Sequence, residues 1–278
     1  MTSRAIITGA SRGLGLLTAQ HLRKSGWRVG IIARTSPADT EWSEHSIDSF
    51  FTAGDVADAQ DMIRCADMTN ESLGNARLLV CNAAVLGPVG QLHETNAIEF
   101  QHTFAVNVLG VINTIKAYWT QLLDVGDARV IVVSGGGVGG PRPMLRAPAY
   151  APSKSALASL VEVLAPEFAD IGAAITAVAP GAVLPTDFLS SVTDATVETA
   201  GAQLVAEAAM QRSAPSNGAD GYLRLLDYLA GPQGKYLNGA TLSGKWNTPE
   251  QLDAVLQRGL SPSMYRLRRI DGDLYDER

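Results

Sequence analysis

The sequence is poor in several features that would place it in a specialised class of protein. It has only two cysteines in 278 residues, Cys65 and Cys81, too few for a disulfide framework and not spaced as zinc ligands. We therefore expect both to be buried thiols in a reducing compartment. The four histidines include no i, i+4 pair and no H-E-x-x-H segment, so we predict no metal site.

Long runs of one residue type are also lacking. No apolar run reaches the length of a transmembrane helix, and no charged leader precedes the first apolar segment. The net charge is −6 without a long basic run, which argues against nucleic acid as a partner. These absences favour a cytoplasmic protein that acts on a small molecule and does not bind a membrane or a nucleic acid.

Short β-branched segments alternate with longer segments of helical periodicity. Seven apolar segments are predicted as strands buried on both faces, at residues 4–8, 27–33, 49–53, 76–82, 128–134, 173–179 and 236–242. Helices are predicted over 11–25, 57–73, 96–123, 150–170 and 218–230, and a last one follows the Thr248 capping position. This alternation predicts an α/β fold with a Rossmann-like, doubly wound parallel sheet in a single domain.

The domain predicted from this pattern extends over residues 1–244. Within it, residues 183–217 are less regular and rich in Ser, Thr and Ala, so we interpret them as a substrate loop over one end of the sheet. Residues 245–278 are predicted to form a C-terminal helix and tail.

A glycine-rich loop, "TGASRGLG", follows the first predicted strand and opens the first helix. Gly9, Gly13 and Gly15 let the backbone approach a ligand closely, and Ser11, Arg12 and Leu14 lie between them. Backbone N–H groups at a helix N-terminus attract a pyrophosphate, so dinucleotide binding is predicted, with a simple tight turn as the alternative. The spacing resembles the T-G-x-x-x-G-x-G loop of the short-chain dehydrogenase/reductase family.

The cofactor preference is predicted from two arginines. Arg34 stands at the end of the second strand, where an acid would receive the ribose 2′-hydroxyl of NAD and an arginine accommodates the 2′-phosphate of NADP. Arg12 in the glycine loop can reach the same phosphate. Either residue alone is typical of a solvated surface, but the two together favour NADP(H) over NAD(H).

Further segments match the family motifs and carry the family's cofactor contacts by resemblance. Asp55 and Val56 in "GDVAD" match its adenine-contacting pair, and Asn82 and Ala83 in "VCNAAV" match its N-N-A-G segment. Cys81 replaces the first asparagine of that segment. The "APGAV" segment implies that Pro180, Gly181 and Val183 lie against the nicotinamide.

Tyr150 and Lys154 are spaced i, i+4 and project from one face of a helix. A lysine cation beside a phenol is expected to lower the tyrosine pKa toward a range useful for proton transfer, although two unrelated helix residues would give the same spacing. By resemblance, Tyr150 is the catalytic acid and base, and both residues also contact the cofactor. Asn107 in "FAVNVLG" matches the family's water-anchoring asparagine, and a polar break in an apolar helix is its other reading.

The end of the fifth strand departs from the family pattern. The family writes two small residues there, the second being the catalytic serine, whereas this chain has Ser134 first and Gly135 second. The gap from this position to Tyr150 is also longer than is usual in the family. We assign Ser134 as a catalytic residue, with a backbone N–H of the glycine run that follows it (135–140) or a substrate group as the alternative second donor.

The resemblance implies an NADP(H)-dependent oxidoreductase that interconverts a carbonyl and a secondary alcohol, with Tyr150 as acid and base. It also implies a homodimer or homotetramer. Gly135 motivates a different hypothesis, in which the protein binds NADP(H) as a redox sensor or structural partner with weakened catalysis. An epimerase or dehydratase is a further alternative that the loop spacing disfavours.

Overall fold

A computed structural model describes residues 3–38, 42, 48–135, 146–181, 219–261 and 263–267. Its strands are β1 (Arg4–Thr8), β2 (Arg28–Ala33), β3 (Ser49–Ala53), β4 (Leu78–Cys81), β5 (Arg129–Val133), β6 (Ala174–Ala179) and β7 (Thr241–Ser243). They form one seven-stranded sheet in the order β3-β2-β1-β4-β5-β6-β7, with every neighbouring pair parallel. The predicted Rossmann-like, doubly wound sheet is confirmed.

The described helices alternate with the strands. They are α1 (Gly13–Lys24), α2 (Ala59–Leu73), α3 (Ala97–Phe104), α4 (Gly110–Val125), α5 (Tyr150–Asp170), α6 (Asp220–Ala230) and α7 (Pro249–Arg258). The helix α7 begins as predicted, because the Thr248 side chain accepts from the Gln251 amide and the Gln251 side chain accepts from Thr248 N–H.

Apolar layers cover both faces of the sheet. One layer holds α2, α4 and α5, and its buried side chains include Met62, Cys65, Ile115, Tyr118, Leu157 and Phe168. The other layer holds α1, α6 and α7, and its buried side chains include Leu22, Tyr222, Leu225, Leu229 and Leu252. Successive strand residues alternate between the layers, as Ile6 and Ile7 do, which explains why the strands are apolar throughout.

The strand order reverses between β1 and β4, and this switch point positions the site. The chain leaves β1 toward β2 and β3 on one side, then returns to place β4 on the other side of β1. Connections that diverge in this way leave a crevice at the carboxyl ends of the two strands, where ligands bind in open α/β sheets. The glycine loop follows β1 and the Asn82–Ala83 segment follows β4, so both lie at this crevice.

The predicted helix over 96–123 is divided in the structure. A single π-helical turn, Ala105–Leu109, separates α3 from α4 and contains Asn107. Such turns are uncommon and occur frequently at functional sites. The apolar pattern therefore predicted helical structure over this segment correctly but did not predict the interruption.

The described residues also bear on two other classes of function, membrane and metal proteins. None of the described helices is both long enough and apolar enough to span a membrane. Within the same residues, no group of three or more His, Cys, Asp or Glu side chains is arranged to hold a metal ion. The two cysteines, Cys65 and Cys81, are buried and unpaired to each other, as predicted.

Candidate active site

The glycine loop packs tightly against the end of β4. Gly9 has a φ of +66°, and a Cβ built on it would lie 2.6 Å from the Ala83 Cα. A Cβ on Gly15 would lie 2.5 Å from the Asn82 Nδ2 and would also overlap the Gly9 carbonyl oxygen. The motif glycines are therefore required by close packing and not by the turn alone.

The loop leads into an uncapped helix N-terminus. Arg12 precedes α1 in an extended conformation, and its side chain makes no capping hydrogen bond. The first turn of α1 also contains no acidic residue. Because an α-helix leaves its first N–H groups without helical partners, the amides of Gly13, Leu14 and Gly15 and the dipole favour an anion here. The arrangement fits a dinucleotide pyrophosphate.

The Asn82 side chain holds the glycine loop in place by hydrogen bonds. Its Nδ2 donates to the carbonyl oxygens of Thr8 (2.9 Å) and Gly9 (3.1 Å). The Thr8 hydroxyl in turn accepts from the amides of Asn82 (3.1 Å) and Ala83 (3.2 Å). Asn82 was predicted as a cofactor contact, and the structure also gives it this structural role. Sequence reasoning did not assign Thr8 a role, although it is the threonine of the quoted loop motif.

The residues predicted to contact the adenosine half lie at the same edge. Gly9 N–H donates to the Ile32 carbonyl (2.7 Å), so the loop lies beside the end of β2, where Arg34 is exposed. Ser11 is half-buried and Arg12 exposed on the loop itself. These positions leave both arginine side chains at the surface near the crevice.

Asp55 and Val56 follow β3 and differ in their surroundings. One Asp55 carboxylate oxygen accepts from the Ala57 amide (2.9 Å) and the residue is half-buried. Val56 is buried, and a Cβ built on Gly110 would lie 2.6 Å from its Cγ2. Asp55 is therefore the more accessible of the two, whereas the Val56 side chain serves to pack α4 against this loop.

Tyr150 and Lys154 lie in the first turn and a half of α5 and face the end of β5. Tyr150 is 7% exposed and Lys154 is 2% exposed. The Lys154 Nζ donates to the Val133 carbonyl (2.8 Å) and lies 5.8 Å from the centre of the Tyr150 ring. The spacing therefore brings the two side chains together, as predicted, at the carboxyl end of the central strands.

Burial shifts both groups toward their neutral forms. Desolvation raises the pKa of Tyr150, and it lowers the pKa of Lys154 from 10.5 to about 7. The expectation that the lysine cation lowers the Tyr150 pKa is wrong for this arrangement, because burial dominates and Nζ is bonded to a carbonyl instead. Burial likewise raises the pKa of the nearby Cys81 thiol to about 12. Tyr150 is therefore a protonated phenol at neutral pH.

Asn107 is completely buried in the π-helical turn and connects three segments. Its Oδ1 accepts from the Val85 amide (2.8 Å), while its Nδ2 donates to the Val85 carbonyl (2.9 Å) and to the Ser153 hydroxyl (2.9 Å). The Ser153 hydroxyl in turn donates to the Tyr150 carbonyl (2.7 Å). Asn107 thereby joins the segment after β4 to the start of α5. Nothing in the sequence pattern singled out Ser153, which lies between the two residues of the Tyr/Lys motif.

The two residues at the end of β5 have different orientations. The buried Ser134 hydroxyl donates to the Lys154 carbonyl (3.2 Å) and its amide to the Val178 carbonyl (2.8 Å). A Cβ built on Gly135 would lie 2.5 Å from the Tyr150 hydroxyl oxygen and 3.1 Å from the Lys154 Cγ. Position 135, and not position 134, therefore faces the tyrosine hydroxyl, and the catalytic role of Ser134 stays a prediction.

The last predicted cofactor contacts follow β6. Pro180 is half-buried and Gly181 exposed at the end of that strand, where Gly181 has a φ of +83°. Val183 and the predicted substrate loop over 183–217 lie outside the described residues. Pro180 and Gly181 thus stand beside β5 and its neighbouring Tyr150, at the same edge as the glycine loop.

The glycine loop lies at the switch point of a parallel sheet, and the tyrosine–lysine pair lies at the same carboxyl ends of the strands. These features define a class of protein, the nicotinamide-nucleotide oxidoreductases with a Rossmann-like fold. Residues 3–196 match the family described as short chain dehydrogenase. The chain belongs to the short-chain dehydrogenase family, whose members are oxidoreductases that act on CH–OH or carbonyl groups.

Individual relatives agree with this assignment. The chain is 28% identical over 253 residues to an "NADPH-dependent aldehyde reductase-like protein, chloroplastic" from Arabidopsis thaliana, covering 84% of this chain and 90% of that one. Two solved structures share the fold, each with a TM-score of 0.70. One is a 3-ketoacyl-(acyl-carrier-protein) reductase from Brucella melitensis complexed with NADH (22% identity, 87% of this chain, 96% of that one). The other is a single-site variant of an actinorhodin polyketide ketoreductase with NADPH (24%, 87% and 95%).

Proposed function

We propose that the protein is an NADP(H)-dependent reductase that converts a carbonyl to a secondary alcohol, with Tyr150 as the proton donor. The observation that carries this proposal is the buried Tyr150–Lys154 pair at the same sheet edge as the glycine loop. The relative named as an NADPH-dependent aldehyde reductase-like protein supports NADPH-dependent reduction of a carbonyl group.

The residues present fit a nicotinamide nucleotide. The glycine loop and the α1 N-terminus would hold the pyrophosphate, Arg34 and Arg12 the adenosine phosphate, and Pro180 and Gly181 one side of the nicotinamide. When bound, the cofactor supplies or accepts a hydride at the substrate carbon. Everything else in the reaction is positioning and proton transfer by the chain itself.

Tyr150 is suited to donate its proton. Burial keeps the phenol protonated by raising its pKa, and an alkoxide is a much stronger base than a phenolate. A protonated donor held beside the substrate oxygen favours reduction of the carbonyl over oxidation of the alcohol at neutral pH. In the reverse direction Tyr150 would first have to lose a proton that its environment retains.

Lys154 and Asn107 position the donor. Lys154 bonds to the Val133 carbonyl, and in its charged form it would stabilise a phenolate left after proton transfer. Asn107 fixes the start of α5 through Ser153, and thereby the direction of Tyr150. Ser134 could contact a substrate oxygen only by rotating away from the Lys154 carbonyl.

NADPH oxidation with a panel of aldehydes and ketones tests the proposed function. We expect absorbance loss at the NADPH band with at least some of the panel and formation of the corresponding alcohol by chromatography. The rival hypothesis, a nucleotide-binding sensor with weakened catalysis, is motivated by Gly135 facing Tyr150. NADPH binding measured by calorimetry without turnover of any carbonyl would favour the sensor.

The preference for NADPH is proposed from two arginines. Arg34 is exposed directly after β2, and Arg12 is exposed within the glycine loop. A guanidinium matches the 2′-phosphate, and NADH has only a hydroxyl at that position. Family members of this fold occur with either nucleotide, as the NADH and NADPH complexes named above illustrate. The residues of this chain therefore have to be tested directly.

Arg34→Ala is expected to weaken NADPH binding by about 10- to 100-fold, since a charge-assisted hydrogen bond contributes roughly 1.5–3 kcal/mol. NADH binding should change less than about twofold. Calorimetric titration of both nucleotides measures the two affinities, with Arg77→Ala as the control because Arg77 pairs with Asp127 at the amino end of β4, away from the glycine loop. Tighter binding of NADH than NADPH by the parent protein, insensitive to Arg34→Ala, would contradict the assignment.

Two further expectations remain predictions: a homodimer or homotetramer, which the resemblance implies, and a cytoplasmic location, which the composition favours. Exposed apolar side chains on α4 and α5, Leu123 and Val163, are compatible with a subunit contact.

A further inference from the structure

A tight turn follows β7 at the same sheet edge as the active site. The amides of Trp246 and Asn247 donate to the Ser243 carbonyl (3.2 and 2.9 Å), and the Asn247 Oδ1 accepts from the Ser243 amide (2.7 Å). Gly244 N–H donates to the Ala179 carbonyl at the end of β6 (2.8 Å). The turn is therefore fixed to the ends of β6 and β7.

This turn presents a cation and an aromatic ring to solvent. Trp246 is 66% exposed, and the Lys245 Nζ lies 4.5 Å from the centre of its ring. Lys245 is exposed and forms no ion pair with a carboxylate of any residue that the structure describes. The turn therefore offers a cation and an apolar ring side by side, which can contact an anionic and an apolar part of one ligand.

The turn lies within reach of the reacting centre. A Cβ built on Gly181 would lie 3.7 Å from the Lys245 Cβ, so Lys245 adjoins the segment proposed to contact the nicotinamide. Hydrogen bonds of Ser134 to Val178 and of Gly244 to Ala179 show that β5, β6 and β7 end at nearly the same level. Two strand spacings, about 10 Å, therefore separate Gly135 from the turn.

We propose that Lys245 and Trp246 form a specificity site for carbonyl substrates that carry an anionic group, a carboxylate, sulfonate or phosphate, at the end remote from the reacting carbon. This inference rests on the proposed function. With the carbonyl oxygen at Tyr150, a substrate that extends along the sheet edge places its far end beside the turn. The flexible Lys245 side chain then reaches the anion, while the Trp246 ring packs against the apolar middle of the substrate.

Matched acid and ester substrates test this site. The probes are the ketones 4-acetylbenzoate and 6-oxoheptanoate, each compared with its methyl ester, so that only the charge of the remote group differs within a pair. With NADPH saturating, we expect kcat/KM to favour the acid by at least about tenfold in one or both pairs. Lys245→Met is expected to bring this ratio toward one, and Trp246→Ala to lower kcat/KM for the acids by about tenfold.

The chain offers a matched control at the amino ends of the strands, opposite to the carboxyl ends where the active site lies. The Lys235 Nζ lies 4.8 Å from the Tyr236 ring, which is 58% exposed, in the 3₁₀ turn Pro232–Leu237 before β7. Lys235→Met and Tyr236→Ala should leave the acid-to-ester ratio unchanged.

Four outcomes would overturn the specificity site while leaving the proposed function in place. They are a parent ratio near one, a ratio that survives Lys245→Met, an equal loss of the ratio in Lys235→Met, and failure of every probe while other carbonyls are reduced in a Tyr150-dependent manner. Absence of Tyr150-dependent turnover with any carbonyl would instead contradict the proposed function.

Discussion

Tyr150→Phe is expected to lower kcat for carbonyl reduction by about 10²- to 10⁴-fold, the usual contribution of a positioned acid. Phenylalanine keeps the ring in its nearly buried position and removes only the hydroxyl beside Gly135. NADPH affinity should stay within about threefold of the parent value, because the glycine loop and α1 are untouched. Stopped-flow or steady-state NADPH oxidation and calorimetry measure the two quantities separately.

Tyr118→Phe is the matched control for this experiment. Its hydroxyl is also buried, 2.6 Å from the Thr69 hydroxyl between α2 and α4, on helices that do not carry the Tyr/Lys pair. Loss of that hydrogen bond should cost about 1 kcal/mol of unfolding free energy and leave kcat nearly unchanged. If Tyr150→Phe retained the parent kcat across the carbonyl panel, Tyr150 could not be the proton donor.

Most of the sheet could be predicted from the sequence because the strands are apolar on both faces. Six predicted strands agree with the structure within two residues at either end. The seventh was predicted over 236–242, but the strand is only Thr241–Ser243. The Asn238 side chain accepts from the Ile175 amide and donates to the Ala165 carbonyl there, and Gly239 has a φ of +78°. Side-chain hydrogen bonds therefore replace strand pairing in a segment whose composition resembles a strand.

The π-helical turn at Asn107 could not be predicted from local sequence. The partners that satisfy the Asn107 amide, Val85 and Ser153, are distant in the chain and meet it only in the folded state. A buried amide with all of these bonds formed can compensate for an irregular helical turn. The sequence indicated that Asn107 was unusual but not that the helix is interrupted at this residue.

The residues of the candidate site could be predicted from the sequence, but their pKa values and orientations could not. Spacing alone places Tyr150 and Lys154 on one helix face, but their pKa values depend on what β5 buries beside them. Similarly, the motif suggests that a serine belongs near Tyr150, yet only the backbone direction at the end of β5 decides that Gly135 faces the hydroxyl. Local patterns determine which residues share an element, and packing determines their charge and orientation.

Lys154→Met is expected to separate stability from activity. Lys154 is 2% exposed, and burial lowers its pKa from 10.5 to about 7. Methionine has a similar length and carries no charge, so its burial avoids the desolvation cost but loses the hydrogen bond to the Val133 carbonyl. At pH 7 we expect the free energy of unfolding to rise on the order of 1–3 kcal/mol. We expect kcat to fall at least about 100-fold, since a charge beside Tyr150 is lost.

The pH dependence of this difference follows from proton binding. Between pH 7 and 10.5 the unfolded parent chain binds up to one more proton at Lys154 than the folded chain, so parent stability gains from this residue as the pH rises. The advantage of Lys154→Met should therefore be greatest at pH 7 and should shrink at pH 8 and pH 9, as measured by urea unfolding. Lys116→Met, at an exposed position on α4, should show no such trend. A variant destabilised at least as much at pH 7 as at pH 9 would mean that burial of Lys154 carries no charge penalty.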